Sequence, residues 1–167
     1  MAIPFFSIDF RWAEWRSFLS SSLGLSSRDK QEEKLLELLF NRFPEKKITL
    51  FPSARMAFYF VLKNTFKKGD EIIFPVMGFP LYVKIALQLE LNPIYVDVED
   101  KHFTINVEQL DDIVTTNTKG IVVTHLFGYP CNMEKVMEVA NKHGIPVIED
   151  CAQSYDSFYK GKETGTF

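Results

Sequence analysis

Residues 120–150 read GIVVTHLFGYPCNMEKVMEVANKHGIPVIED, and the fold class can be predicted from this segment. Two apolar runs, GIVVTH (120–125) and IPVIED (145–150), flank a helical pattern from about Met133 to His143. Asn132 is a good helix cap and Gly144 a good helix stop. The runs are continuously apolar, which is typical of strands in a sheet that is covered on both faces. We therefore predict a βαβ unit with two parallel strands.

The same alternation continues towards the N-terminus. Apolar runs precede helical stretches at ITLF (48–51), EIIFP (71–75) and NPIYVDV (92–98). The helices are expected from Ala54 to Lys63, through Val83 to Glu90, and in a short segment opened by Asn106. A further helix begins at Asp29, carries an apolar face to Phe43 and stops at Pro44. We predict an α/β fold, a mostly parallel sheet with helices on both faces, formed by residues 29–167. Residues 1–28 are irregular and rich in aromatic residues, and we interpret them as an N-terminal arm.

Composition excludes several classes of protein. The 167 residues carry a formal net charge of -3, so a broad cationic surface for nucleic acid is not expected. No apolar run approaches the roughly 20 residues that cross a bilayer. The N-terminus does not have the pattern of a secretory signal. Cys131 and Cys151 lack metal-ligand spacing. We expect a cytoplasmic protein with two reduced thiols, no metal and no membrane partner.

Three segments follow predicted strands at the edge where α/β sheets bind ligands. The segment 52–57 turns into a helix whose free N–H groups suit an anion, and Arg55 either contacts a phosphate or is an exposed helix-start arginine. Phe79 precedes Pro80 and either stacks on a planar cofactor or belongs to the core. Asp150 either holds a proton on a heteroaromatic nitrogen or caps a helix. Gln153 lies one turn further on and can reach a neighbouring oxygen.

Six motifs resemble the DegT/DnrJ/StrS family of pyridoxal-phosphate sugar aminotransferases, which have the aspartate-aminotransferase (type I) fold. The resemblance runs from about residue 50 to the last residue. The motifs, in chain order, are SARMA (53–57), GDEIIFP (69–75), PIYVDV (93–98), HLFG (125–128), EDCAQ (149–153) and YKGKETGTF (159–167).

The resemblance implies roles for five residues. Ala54 and Arg55 fall where the family binds the cofactor phosphate, and Phe79 falls where a ring stacks on the pyridine. Asp150 matches the carboxylate that keeps the pyridine nitrogen protonated, and Gln153 matches the residue near the phenolic oxygen. The resemblance also implies a homodimer that acts on a nucleotide-linked keto-sugar, with glutamate as amino donor, in polysaccharide or secondary-metabolite synthesis.

The chain departs from the family pattern at several positions. Ala54 and Arg55 replace the usual Gly and Thr, and GFPLY (78–82) replaces a Thr-aromatic-Val-Ala-Thr segment. The family's aldimine lysine, the last strands of the large domain and the small C-terminal domain fall beyond residue 167. Lys160 and Lys162 belong to a loop. We therefore assign no catalytic residue and expect these 167 residues alone to be inactive. We also expect strand 48–51 to lack a neighbouring strand and strand 145–150 to lie at an open edge of the sheet.

Two alternatives remain at this stage. One is a non-catalytic binding or interaction module that keeps the sheet without the chemistry. The other is a sugar dehydratase relative, in which His replaces the family's lysine.

Overall fold

The computed structural model describes residues 15–16, 19–20, 22–23 and 28–167. Backbone contacts divide the chain into two compact units, residues 1–50 and 51–167. Helix α1 (Arg28–Arg42) lies in the first unit and ends shortly before Pro44, as its sequence predicts. The predicted arm lies almost entirely outside the described residues, so the division at residue 28 stays a prediction.

The second unit alternates helices with strands. In chain order its elements are α2 (Ala54–Thr65), β1 (Glu71–Pro75), α3 (Pro80–Gln88), β2 (Asn92–Val96), α4 (Val107–Leu110), β3 (Thr118–Thr124), α5 (Met133–His143), β4 (Val147–Asp150), β5 (Phe158–Tyr159) and β6 (Lys162–Glu163). The bounds of α5 agree with the sequence prediction, because Asn132 Oδ1 accepts from the Lys135 amide at 3.3 Å and Gly144 adopts the left-handed conformation.

Strands β1 to β4 form one parallel sheet in the order β2-β1-β3-β4. The register pairs Phe74 with Tyr95 and Thr124 with Asp150, so β1, β2, β3 and β4 end at a common edge. Strands β5 and β6 form a separate antiparallel pair. The α/β fold class and the βαβ unit of residues 120–150 are confirmed.

The predicted strand at 48–51 is not formed. These residues adopt no regular secondary structure. An apolar run becomes a strand only when a neighbouring strand satisfies its amides and carbonyls, and none of the described strands pairs with it. Strand β4 pairs with β3 on one side and is an edge strand within the described sheet, as we expected for 145–150.

Two apolar layers cover the sheet, one on each face. Side chains alternate along each strand, so Ile73 and Val123 join one layer while Ile72 and Val122 join the other. Helix α5 covers the first layer; α2 and α3 cover the second. Both faces are buried, which is the reason that IIF and IVV read as continuous apolar runs.

Gly120, at the third residue of β3, is required by this packing. A Cβ atom there would lie 2.5 Å from Cζ of the buried Phe66 ring. In the part of the chain that the structure describes, no helix combines the length and the apolar character needed to cross a bilayer.

Candidate functional site

The carboxyl ends of β1 and β3 open onto a cavity of about 310 Å³. The loop from Pro75 to Pro80 and the start of α3 form its wall, and Thr124 contributes from β3. This volume lies at the lower end of the range for small-molecule sites, roughly 300–1,000 Å³. The cavity therefore has the place and the size of a ligand site in a parallel α/β sheet.

A larger groove, of about 840 Å³, lies at the opposite edge of the sheet. It is lined by Asp70 and Thr118, beside the amino ends of β1 and β3, and by Pro146, just before β4. None of the five predicted site residues lines this groove, whereas one of them, Phe79, lines the smaller cavity. We therefore centre the candidate site on the smaller cavity.

Asp150 is the last residue of β4 and is half-buried. Its carbonyl oxygen accepts from the His125 amide at 3.1 Å, which fixes the strand end beside β3. Its Oδ1 accepts from the Ala152 amide at 3.0 Å. A turn follows Asp150, so its carboxylate caps a turn and not the helix that was one of the sequence alternatives.

Tyr82 is a neighbour of Asp150 that sequence reasoning did not assign to the site. It projects from the first turn of α3, is only 6% exposed and lines the cavity. Burial, together with the negative charge of the nearby Asp150 carboxylate, raises the pKa of Tyr82 to about 12. The phenol therefore stays protonated and can act as a hydrogen-bond donor throughout the neutral range.

Phe79 caps the N-terminus of α3 and also lines the cavity. Pro80 follows it at the first helical position, as the sequence predicts. The Phe79 side chain is 50% exposed and meets the Tyr82 ring edge-to-face, with centroids 5.3 Å apart. The ring is thus not a core residue and presents an open surface at the cavity.

Ala54 and Arg55 occupy the exposed first turn of α2. Ser53 caps this helix, since its Oγ accepts from the Met56 amide at 3.3 Å. The first amides of a helix have no carbonyl partner within the helix and so remain available to an anion. Among the contacts described for 51–167, none joins Arg55 directly to Asp150 or Gln153.

Gln153 lies in the turn after β4 and is exposed. Its Oε1 accepts from the Phe127 amide at 3.1 Å, which ties it to the turn after β3. Phe127 and Gly128 both have positive φ angles, 53° and 83°, in that turn. The structure therefore brings Gln153 to the same edge of the sheet as Asp150.

A buried network beneath this edge contains Glu149 and His125. His125 is completely buried and its Nδ1 accepts from the Cys131 amide at 3.0 Å. Its proton therefore lies on Nε2, which donates to Glu149 Oε2 at 3.2 Å. The amides of Gly165 and Phe167 also donate to Glu149, at 2.8 and 3.0 Å. These bonds give His125 a structural role and not that of a general base.

The network keeps Glu149 ionised. Burial alone raises the pKa of this carboxyl group, but the hydrogen bonds from His125, Gly165 and Phe167 lower it by more. The net pKa of Glu149 lies below its ordinary value. The carboxylate thus links β4 to the turn after β3 and to the 164–167 segment.

Donor atoms of His125, Glu149 and Cys151 lie within 4.8 Å of one another, close enough for a metal ion. The His125 ring is already satisfied by Cys131 and Glu149. Glu149 has three donors of its own. We interpret this cluster as structural.

We expect both cysteines to react slowly with alkylating agents while the chain is folded. Burial raises the pKa of Cys131 to about 12; burial and the nearby Glu149 carboxylate raise that of Cys151 to about 11, from an ordinary value of 9.0. The thiolate fraction of Cys151 at pH 8 is then about 100-fold below that of an exposed thiol. Iodoacetamide labelling with and without urea measures this difference. Labelling at the unfolded rate in the absence of urea would contradict it.

Comparisons with known proteins relate the chain to one enzyme family. Residues 30–167 match the model of the DegT/DnrJ/EryC1/StrS aminotransferase family. A GDP-perosamine synthase of Escherichia coli O157:H7 is 38% identical over 100 residues, which cover 60% of this chain and 28% of that relative. The chain thus spans less than a third of the length of this curated relative.

Two solved structures resemble the fold. The aminotransferase from Psychrobacter cryohalolentis has a TM-score of 0.60 at 33% identity, covering 66% of this chain and 28% of that one. An Escherichia coli GDP-4-keto-6-deoxy-D-mannose-3-dehydratase with bound hydrated PLP has a TM-score of 0.83 at 25% identity, covering 98% of this chain and 44% of that one.

Proposed function

This chain belongs to the DegT/DnrJ/EryC1/StrS aminotransferase family, and on that premise we propose that it forms the cofactor-binding N-terminal portion of a pyridoxal 5'-phosphate-dependent aminotransferase. The substrate is a nucleotide-linked keto-sugar and glutamate is the amino donor. The proposal rests on one observation: Tyr82, which lines the cavity at the carboxyl edge of the sheet, contacts Phe79 and lies near the Asp150 carboxylate, and both of these residues belong to the matched region.

The five residues assigned to the site carry the chemical groups that a phosphorylated pyridine needs. A half-exposed ring suits stacking on a flat heterocycle, and Phe79 provides it. A carboxylate suits a protonated ring nitrogen, and Asp150 provides it. The amides at the start of α2 and the Arg55 guanidinium suit a phosphate. Gln153 supplies a side-chain amide for the phenolic oxygen.

Pyridoxal phosphate, when bound, supplies an electron-withdrawing ring that is effective only while its nitrogen is protonated. The task of Asp150 is to hold that proton at the ring nitrogen. Phe79 fixes the plane of the ring, while Ala54 and Arg55 hold the phosphate end.

The wider assignments follow the same premise. Residues 29–167 form part of the cofactor-binding large domain and residues 1–28 an N-terminal arm. The protein works in the cytoplasm as a homodimer, in the synthesis of a polysaccharide or secondary metabolite.

A second candidate is a sugar dehydratase that uses the same cofactor. The alignment to the Escherichia coli dehydratase structure covers 98% of this chain, whereas that to the Psychrobacter aminotransferase covers 66%. Another dehydratase structure, that of a ColD variant, covers 68% of this chain, so coverage does not separate the two classes and the dehydratase stays the alternative.

We expect the protein that carries this chain to transfer nitrogen to a nucleotide-linked keto-sugar. The purified protein is incubated with GDP-4-keto-6-deoxymannose, glutamate and pyridoxal phosphate, and the sugar product is analysed by mass spectrometry. A product that gains nitrogen, with an equal amount of 2-oxoglutarate, supports the aminotransferase. A product that lacks one hydroxyl oxygen and gains no nitrogen, with ammonia released alongside 2-oxoglutarate, supports the dehydratase. An unchanged sugar, also with UDP-linked keto-sugars, would count against both.

A further inference from the structure

Tyr82 lies between the two groups that we assign to the cofactor ring. Its side chain is 6% exposed, although it lines the cavity. Neither the predicted phosphate site nor the predicted pyridine site includes it. The three rings of Phe58, Tyr82 and Phe79 form a continuous row that runs from α2 to the start of α3.

The inner end of this row is firmly packed. The Phe58 ring stacks on Tyr82 with centroids 4.1 Å apart and an interplanar angle of 25°. Phe58 is itself buried and meets Phe74 of β1 edge-to-face at 6.4 Å. Tyr82 is therefore held by a rigid part of the core.

The outer end is open. Phe79 is 50% exposed, so burial alone does not fix its ring. Its edge-to-face contact with Tyr82 has centroids 5.3 Å apart and an interplanar angle of 80°, a favourable geometry for aromatic pairs. The fixed Tyr82 ring thus sets the plane in which Phe79 lies.

The hydroxyl group of Tyr82 points to the other assigned residue. Burial and the nearby Asp150 carboxylate raise the pKa of Tyr82 to about 12, so the phenol keeps its proton and is available as a donor to this carboxylate. Asp150 Oδ1 also accepts from the Ala152 amide. An ionised carboxylate offers about four lone-pair sites, so it can accept from both groups and still have room for a third donor.

We propose that Tyr82 is a positioning residue for the cofactor: its ring orients Phe79 and its hydroxyl orients the Asp150 carboxylate. This inference rests on the proposed function. It adds a residue whose ring and hydroxyl serve different groups, and the two contributions can be separated by substitution. Tyr82→Phe removes the hydroxyl and keeps the row of rings, whereas Tyr82→Leu removes both.

The test uses pyridoxamine 5'-phosphate and the protein that carries this chain. This compound has no aldehyde, so it cannot react with surface lysines. Isothermal titration calorimetry gives its dissociation constant for the parent protein and the variants. We expect Tyr82→Phe to weaken binding about fivefold and Tyr82→Leu about 20-fold. Tyr59→Phe is the control, since the Tyr59 ring contacts Phe60 and Lys63, and it is expected to bind as the parent does.

A double substitution separates positioning from a general structural effect. If the hydroxyl acts through the Asp150 carboxylate, Tyr82→Phe has little further effect in an Asp150→Asn background. An equal loss in both backgrounds would overturn the positioning role. Parent-like binding by Tyr82→Phe, with Asp150→Asn impaired, would overturn this inference alone. A parent protein that does not bind the compound would overturn the proposed function and the positioning role with it.

Discussion

Asp150→Asn is expected to weaken the binding of pyridoxamine 5'-phosphate to the protein that carries this chain by about 30-fold. Asparagine has the same shape but no charge, so the ring nitrogen loses its ion pair. A hydrogen bond to a charged group contributes about 1.5–3 kcal/mol, which corresponds to this loss of affinity. Calorimetric titration of the parent and the variant at pH 7 measures it.

The matched control is Asp112→Asn. Asp112 is exposed and lies in a turn between α4 and β3, so this substitution changes the net charge equally without touching the cavity. We expect its affinity to stay within about twofold of the parent. In Asp150→Asn the new side-chain carbonyl can still accept from the Ala152 amide, so the fold should persist. Equal binding by Asp150→Asn and the parent would remove Asp150 from the proposed site.

Glu149→Gln is expected to destabilise the chain by about 3 kcal/mol, the largest loss of stability that we predict. The three groups that hydrogen-bond to the carboxylate are all donors: His125 Nε2 and the amides of Gly165 and Phe167. Glutamine presents an NH₂ group to one or more of these donors and leaves them unsatisfied in a buried place. The melting temperature should fall by about 10 °C in a thermal scan.

The Glu149 carboxylate also makes the free energy of unfolding depend on pH. The pKa of Glu149 is lower in the folded chain than its ordinary value of 4.5, so its contribution is complete above about pH 4.5 and is lost as the pH falls through the folded pKa. Glu149→Gln should remove this part of the acid sensitivity. Glu138→Gln, on the exposed side of α5, is expected to change stability by less than about 0.5 kcal/mol. If the two variants melted at the same temperature, the buried network would not be stabilising.

The fold could be predicted wherever the pattern is local. Residues 120–150 carry continuous apolar runs, a cap at Asn132 and a stop at Gly144, and the structure forms β3, α5 and β4 from them. The run at 48–51 has similar composition but is not a strand. The difference lies in the neighbouring strand, which composition does not encode.

The candidate site could be predicted only in part. Asp150, Phe79 and the start of α2 were proposed from the sequence because each follows a strand or opens a helix, where ligands bind in such sheets, and these assignments stay predictions. Tyr82 was not found, since a tyrosine within an apolar helix has the appearance of a core residue. Tyr82 lies near Asp150 only because α3 and the end of β4, which are far apart in the chain, pack together.

The amino-acid sequence alone specifies the alternation of strands and helices, most of their limits, the motifs of the family and the residues offered to a cofactor. Which polar groups meet is set by the three-dimensional packing. Glu149 accepts from His125 and two amides, Gln153 contacts the turn after β3, and Tyr82 contacts Phe79 and lies near Asp150. The division arises because periodicity and capping act over a few residues, whereas the partner of a buried donor or acceptor depends on the packing of the whole sheet.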